Sequence, residues 1–205
     1  MKTSSVTLAM TGASGVQYGL RLLELLTRSG VESRVLISQP AQVVIGMETD
    51  FELPGRTADQ QRVLTERFEG QPGQIRVYGR EQWTAPVASG SGVSDAMVVC
   101  PCTTGTLSAI ACGNSRSLIE RAADVSIKER KSLILVVRET PFSSIHLENM
   151  LRLSQAGVTI MPANPGFYHR PTSIEELIDF MVARVMDHLQ IEHQLVPSWG
   201  EPKDP

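Results

Sequence analysis

The sequence predicts an α/β domain of three layers, a parallel β-sheet covered by helices on both faces. Three observations carry that prediction. Short apolar runs, AMVVC at 96–100 and SLILVV at 132–137 above all, have the continuous hydrophobic character of strands buried on both sides. Segments with apolar residues at helical spacing alternate with them along the chain. The turns after the strands are rich in glycine and hydroxyl residues, as at TGASG (11–15) and PCTTGT (101–106).

At 205 residues with 41% apolar side chains the chain can bury one good core, so a single domain over 1–205 is expected. The balance of 19 basic against 22 acidic residues gives −3, and no basic run is present to track a nucleic-acid backbone or an anionic membrane. Neither is expected as a partner. No apolar stretch approaches the roughly 20 residues that cross a bilayer, and MKTSSVTLAMTG lacks the h-region and cleavage site of a signal peptide. A cytoplasmic protein is expected. Cys100, Cys102 and Cys112 are an odd number for a disulfide scaffold, and Cys100-Pro-Cys102 is poor metal spacing, so they read as buried free thiols.

The first strand ends at Met10, and Thr11–Gly15 is the turn into a helix over 16–28 that carries Leu20, Leu23 and Leu26 and stops at Gly30. Unpaired amides at a helix N-terminus and glycines that admit a ligand to the main chain suit a phosphate, although an ordinary tight turn uses the same residues. The second strand, 34–38, ends in Ser38, where a dinucleotide site would place an acidic residue for the ribose. TGASG is also not GxGxxG, so NAD falls behind while a mononucleotide such as FMN stays open. A helix starts at Ser38-Gln39-Pro40 and runs towards Glu48. The polar stretch 50–82 reads as an insertion packed at an edge, with a helix over 57–68 capped by Thr57 and Gln60 and a short strand at 75–78.

Trp83 and the run Ala88-Ser89-Gly90-Ser91-Gly92 precede the strand 96–100; the run is either a linker or a backbone nest for an anion. After that strand the hydroxyl-rich turn 101–106 leads to a helix from Leu107. Two such turns at the same edge of a parallel sheet face a common crevice. On the helical segment 117–130, Arg121 and Lys128 are seven apart and share a face, which is either solvated or aimed at phosphate. The strand 132–137 ends in Arg138-Glu139-Thr140-Pro141, charges placed for the crevice. A helix over 144–156 and a strand at 158–161 follow, then a rigid loop, 162–171, with Phe167 and Tyr168. The last helix opens with a Ser173/Glu176 capping box; Ile174, Leu177, Ile178, Met181, Val182, Val185 and Leu189 form its stripe, with Arg184 on the flank. The tail 194–205, with Trp199, reads as an arm lying on a neighbouring subunit.

The strings TGASGVQYG, VASGSG, CPCTTGTLSAIACG, LIERAADVSIKER, LVVRETPFS and MPANPGFYHRP, in that order over nearly the whole chain, resemble the UbiX-type flavin prenyltransferases. The resemblance implies a Rossmann-like or flavodoxin-like subunit that binds FMN non-covalently and assembles into a dodecamer. It implies transfer of a dimethylallyl group from dimethylallyl monophosphate to N5 and then C6 of reduced FMN, without a metal. The product would serve a prenylated-FMN-dependent decarboxylase of ubiquinone biosynthesis. By the same resemblance Gly12, Ala13, Ser14, Ser38, Thr103, Thr104, Gly105, Thr106 and Arg138 hold FMN, and Tyr168 and Arg184 hold the prenyl phosphate. Ser89, Gly90, Arg121, Lys128 and Glu139 match phosphate-binding and proton-transfer positions, and Glu48 and Ser14 belong near the reaction. Arg116 stands where many relatives have an acidic residue, and Gly105 where some have lysine.

The residues suit that chemistry. Breaking an allylic C–O bond develops positive charge on the prenyl group and negative charge on phosphate. Arg121, Lys128 and Arg184 are cations for the phosphate, and the chain has no DDxxD cluster to hold a magnesium diphosphate. Tyr168 and Trp83 offer π-faces to an allylic cation, an attraction of about 0.5–2 kcal/mol each. Glu139 is the candidate for moving protons. Two alternatives are an FMN-dependent cysteine decarboxylase, which would carry an early histidine where the first here is His146, and a non-catalytic flavin carrier.

Overall fold

In the computed structural model, which describes residues 3–196, the continuous apolar runs become the middle of a parallel sheet. The strands are β1 (Ser5–Met10), β2 (Glu32–Ile37), β3 (Ile75–Tyr78), β4 (Ala96–Cys102), β5 (Ser132–Val137) and β6 (Thr159–Pro162). Their order is β3-β2-β1-β4-β5-β6, every pairing parallel. The order reverses between β1 and β4, so the crevice of this fold opens beyond the C-terminal ends of those two strands. The segment 50–82 supplies α3 (Thr57–Arg67) and the outermost strand, β3.

Alternation along the strands builds two cores. Val6, Leu8 and Met10 of β1, with Val98 of β4 and Ile134 and Val136 of β5, face α1 (Val16–Arg28), α2 (Gln39–Glu48), α3 and α7 (Ile174–His188). Ala9, Met97, Val99, Leu133, Leu135 and Val137 face α4 (Thr104–Ala111), α5 (Leu118–Lys128) and α6 (Ser144–Gln155). The alternation breaks once: Cys100 lies in the first core and Cys102 in the second, because the β4–β5 register shifts between Val99 and Cys102. Across the first core Arg21 of α1 holds Asp179 of α7 through Nε and Nη2 at 2.7 and 3.1 Å.

Helix starts differ from the sequence expectation where capping chemistry outweighs apolar periodicity. α4 begins at Thr104, not Leu107, because the Thr103 hydroxyl accepts from Thr106 N–H. α3 is capped by Arg56 without a side-chain bond, and Gln60 donates to Pro54 O instead of closing a box with Thr57. Ser173 does cap α7, but Glu176 reaches back to Thr172 N–H, and Ile174 is 71% exposed rather than part of the core stripe. The run 86–92 forms two short 3-10 turns. The region of Trp199 lies outside the described residues. No helix among the described residues is long and apolar enough to cross a membrane.

Candidate active site

The first crevice loop is fastened to the second by one buried hydroxyl. Thr11 Oγ1 donates to Pro101 O at 2.8 Å and accepts from Thr103 N–H at 2.8 Å, while Thr11 N–H also reaches Pro101 O. Thr103 then caps α4, and its hydroxyl donates to Thr106 Oγ1 at 3.0 Å. On the other side Ser38 caps α2 by accepting from Ala41 N–H, which leaves its hydroxyl proton for a ligand. Gly12 sits against this turn so closely that a Cβ would come within 2.3 Å of Pro40 Cβ. Gly15 starts α1 at φ +93°, a conformation that L side chains rarely adopt, and its N–H donates to Glu48 Oε2 at 2.8 Å. Glu48 therefore acts from the end of α2 as an anionic anchor at the positive end of α1.

Between these turns lies a cleft of about 260 Å³. Thr11 and Gly12 form one wall, Leu36–Pro40 a second, Thr103 and Thr106 a third, and Ser117–Glu120 at the start of α5 the fourth. Tyr78, the last residue of β3, and Gly79 and Arg80 after it complete it. The donor set fits a flavin mononucleotide: hydroxyls and helix-start amides for one phosphate, glycine at the closest approach, and apolar Leu36 and Ile37 beside them. Ala13 is buried and Ser14 half-buried in the first loop, whereas Gly105 is exposed on the first turn of α4.

A neighbouring recess is lined by Arg138, Glu139 and Phe142 after β5 and by Pro162–Asn164 after β6. Its carboxylate is held on both oxygens: Glu139 Oε2 accepts from Thr104 Oγ1 at 3.3 Å and Oε1 from Thr140 N–H at 3.1 Å. Thr104, between the cleft-lining Thr103 and Thr106, therefore links the recess to the start of α4. Tyr18 on the first turns of α1 belongs to the same region. Burial, then the neighbouring Cys100, raises its phenol above the ordinary value, and Arg138 partly opposes them. The Cys102 thiol is pushed up to about 12 by burial and Cys100 is raised further still, so both remain protonated thiols at neutral pH.

The remaining predicted residues fall into two groups on the outside of the subunit. Arg121 donates to Ala88 O at 3.0 Å and pairs with Asp124 at 2.8 Å; Lys128 pairs with Glu129, whose carboxylate lies against Gly90; and Ser89 Oγ is 3.3 Å from Ser91 Oγ. This cluster lies along α5, which starts at the cleft and carries Lys128 about 15 Å away from it at 1.5 Å per residue. In the second group Tyr168 packs on Phe180 at 5.8 Å between centroids, and Arg184, one turn further along α7, pairs with Asp187 at 2.6 Å. Trp83 is 48% exposed beyond the β3 edge. Arg121, Lys128 and Arg184 each pair with an acid of their own helix or of the adjoining residue.

Sequence reasoning missed Thr11, Tyr18, Tyr78 and Arg80. Thr11 stood inside the TGASG string, but its partners are about 90 positions away, and Tyr18 has the spacing of an ordinary core aromatic. Among the described residues no group of three or more His, Cys, Asp or Glu side chains is placed to hold a metal ion.

The flavoprotein family model matches residues 1–186. The flavin prenyltransferase UbiX of Pseudomonas aeruginosa is 58% identical over 196 residues, covering 96% of this chain and 94% of that protein. The chain belongs to the flavin prenyltransferase family. AnUbiX (PadA1), solved in complex with FMN and dimethylallyl pyrophosphate, superposes with a TM-score of 0.87 at 38% identity, covering 98% of this chain and all of that one. A dodecameric FMN-dependent UbiX-like decarboxylase from Escherichia coli O157:H7 superposes with a TM-score of 0.85 at 35% identity, covering 96% of this chain and all of that one. The family's three-layer, flavodoxin-like sheet is the one described above.

Proposed function

We propose that the chain transfers a dimethylallyl group from dimethylallyl monophosphate to N5 and C6 of reduced FMN, releasing phosphate. The observation that carries this reading is the Thr104–Glu139 contact, which ties the carboxylate of the recess to the start of α4, where Thr103 and Thr106 line the neighbouring cleft. The Ser38 and Thr106 hydroxyls and the amides of Gln39, Thr104 and Gly105 hold the FMN phosphate, with Thr103 orienting Thr106 and with Gly12, Ala13, Ser14 and Gly105 giving the main chain close approach. Reduced FMN supplies the nucleophilic centres that take up the isoprene unit. Arg138 neutralises charge in the recess, and Glu139 holds and returns the protons lost as the two new bonds form.

The leaving phosphate needs more cations than Arg80 and Arg138, which line the cleft and the recess in one subunit. Arg121 and Lys128, with Ser89 and Gly90, and Arg184 with Tyr168, face outward where a neighbouring copy brings them to the recess; Trp83 adds an aromatic face there. Subunit contact also accounts for the exposed Ile145, Leu147 and Leu151 of α6 and Val43 and Met47 of α2, apolar side chains 53–79% exposed in the lone subunit. A homo-dodecamer is the assembly we assign. The prenylated flavin passes to a decarboxylase that uses it, in ubiquinone biosynthesis.

Anaerobic incubation with reduced FMN and dimethylallyl monophosphate is expected to yield a flavin heavier by one prenyl group, read by mass spectrometry. Recovery of unaltered FMN would overturn the proposal in favour of a flavin carrier, and oxidative decarboxylation of a peptidyl cysteine in its place would mark a cysteine decarboxylase. Running the diphosphate in parallel separates the two donors.

A further inference from the structure

Arg184 lies on the exposed flank of α7, where a long side chain ordinarily samples several rotamers and an isolated i, i+3 ion pair orients it weakly. Its partner is not isolated. Asp187 Oδ2 accepts from Arg184 Nη1 at 2.6 Å, and Asp187 Oδ1 lies 2.9 Å from His193 Nε2. By His193 the chain has left the helix, which ends at His188, and has turned back to bury Ile191. The imidazole is the enclosed member of the three: its side chain is 11% exposed, against 44% for Asp187 and 54% for Arg184.

The tautomer follows from the backbone. Leu195 N–H lies 3.4 Å from His193 Nδ1, and an amide nitrogen can only donate, so Nδ1 accepts and the ring proton sits on Nε2. His193 therefore donates to Asp187. A carboxylate held by one mobile partner turns about its own axis; one held from an enclosed ring does not. Order runs outward, from ring to carboxylate to guanidinium.

We propose that His193, acting through Asp187, is a positioning residue that sets the guanidinium of Arg184 for the prenyl phosphate. The inference rests on the reading of Arg184 as a ligand of that phosphate. One N–H of the guanidinium is committed to Asp187, and the others are presented together in one orientation instead of being distributed over rotamers. The same ring, through Leu195, fixes where the chain leaves α7.

The test is steady-state prenyl transfer by the full chain, with dimethylallyl monophosphate varied and reduced FMN saturating. His193→Leu is expected to raise the donor KM about fivefold, the scale of coupling between groups in contact, with kcat and FMN affinity within about twofold. His193→Gln, which keeps an N–H within reach of Asp187, is expected to restore most of the loss. Asp187→Asn serves as a second variant should His193→Leu unfold, and is expected to raise the same KM. In an Arg184→Ala background His193→Leu is expected to add nothing. An unchanged donor KM in both His193→Leu and Asp187→Asn, while Arg184→Ala raises it, overturns the positioning role alone. A full additional loss in the Arg184→Ala background does the same and reduces His193 to a structural staple. If Arg184→Ala itself leaves the donor KM unchanged, the phosphate reading of Arg184 fails and the inference falls with it.

Discussion

The flavin cleft and the outward-facing cations differ in what holds them in place. In the cleft the groups that meet a ligand are held by one another within a single chain: Thr11 bonds both main-chain groups of the next loop, Glu48 anchors Gly15, and Thr104 meets Glu139. On α5 and α7 the cations are instead held by acids of the same helix or the adjoining residue, Arg121 by Asp124, Lys128 by Glu129 and Arg184 by Asp187. One half of the machinery is preorganised by folding. The other holds charges on the surface of the subunit, each neutralised by its own acid, where the proposed function needs a neighbouring copy to present them with phosphate. A substitution in the loops that line the cleft should therefore act on FMN affinity, and one among the outward cations on the prenyl-transfer kinetics with FMN affinity untouched.

The largest effect is expected where the cleft is tightest. In Gly12→Ala the new Cβ would lie 2.3 Å from Pro40 Cβ, and the rigid ring cannot yield as a flexible side-chain end would. Overpacking of this kind costs about 1–3 kcal/mol, so FMN affinity should fall by up to roughly a hundredfold in a fluorescence titration. Retained affinity would show that the first loop adapts, and would break the contrast.

Next in size is Lys128→Met. Turnover should fall about tenfold or more through the loss of one fixed cation at the leaving group, while FMN affinity stays within about twofold. Mixing sharpens the comparison further. Lys128→Met and Glu139→Gln subunits, each impaired alone, should show more prenyl transfer when assembled together than the average of the two separate variants, because some sites then draw an intact Lys128 and an intact Glu139 from different copies. No recovery on mixing would place both groups in one subunit's own site.

Thr11→Val tests what the buried hydroxyl contributes to the cleft. The change removes the acceptor for Thr103 N–H and leaves that amide unsatisfied, a cost of about 1–3 kcal/mol. Denaturant unfolding should register this loss, and FMN should bind several-fold more weakly because both loops loosen together.

The contrast also decides what was legible in the sequence. The buried strands announced themselves through continuous apolar runs, and the hydroxyl-rich turns through residue type, since both are local properties. Composition alone marks Thr103, Thr104 and Thr106, yet apolar periodicity puts the start of α4 at Leu107, three residues late, because the cap is made at Thr103. Thr57 and Gln60 have the spacing of a capping box, but Pro54 O captured the glutamine. Thr11, Tyr18 and the Asp187–His193 pair were invisible for a different reason. Their roles depend on partners brought together by the fold, and no window of sequence contains both sides of the Thr11 contacts.

The smallest expected effect lies at the opposite edge of the sheet from the cleft, and it separates stability from function. Asp95, just before β4, accepts at Oδ2 from the Ser4 hydroxyl and from the N–H groups of Ser4 and Ser5, tying the start of β1 to the start of β4. The Ser4 hydroxyl is the largest influence holding its carboxyl below the ordinary value of 3.8, with partial burial opposing. A depressed carboxyl contributes stability above its unfolded pKa and loses it as pH falls through the folded one. Asp95→Asn should thus cost about 1 kcal/mol near pH 7, discounted for solvent exposure. The difference from the parent should shrink as the pH is lowered below about 4. Prenyl transfer and FMN affinity should be unchanged, since Asp95 touches neither the loops of the cleft nor the cations of α5 and α7. A change in either would mean that the two edges of the sheet are mechanically coupled, and that the cleft is preorganised by more than its own hydrogen bonds.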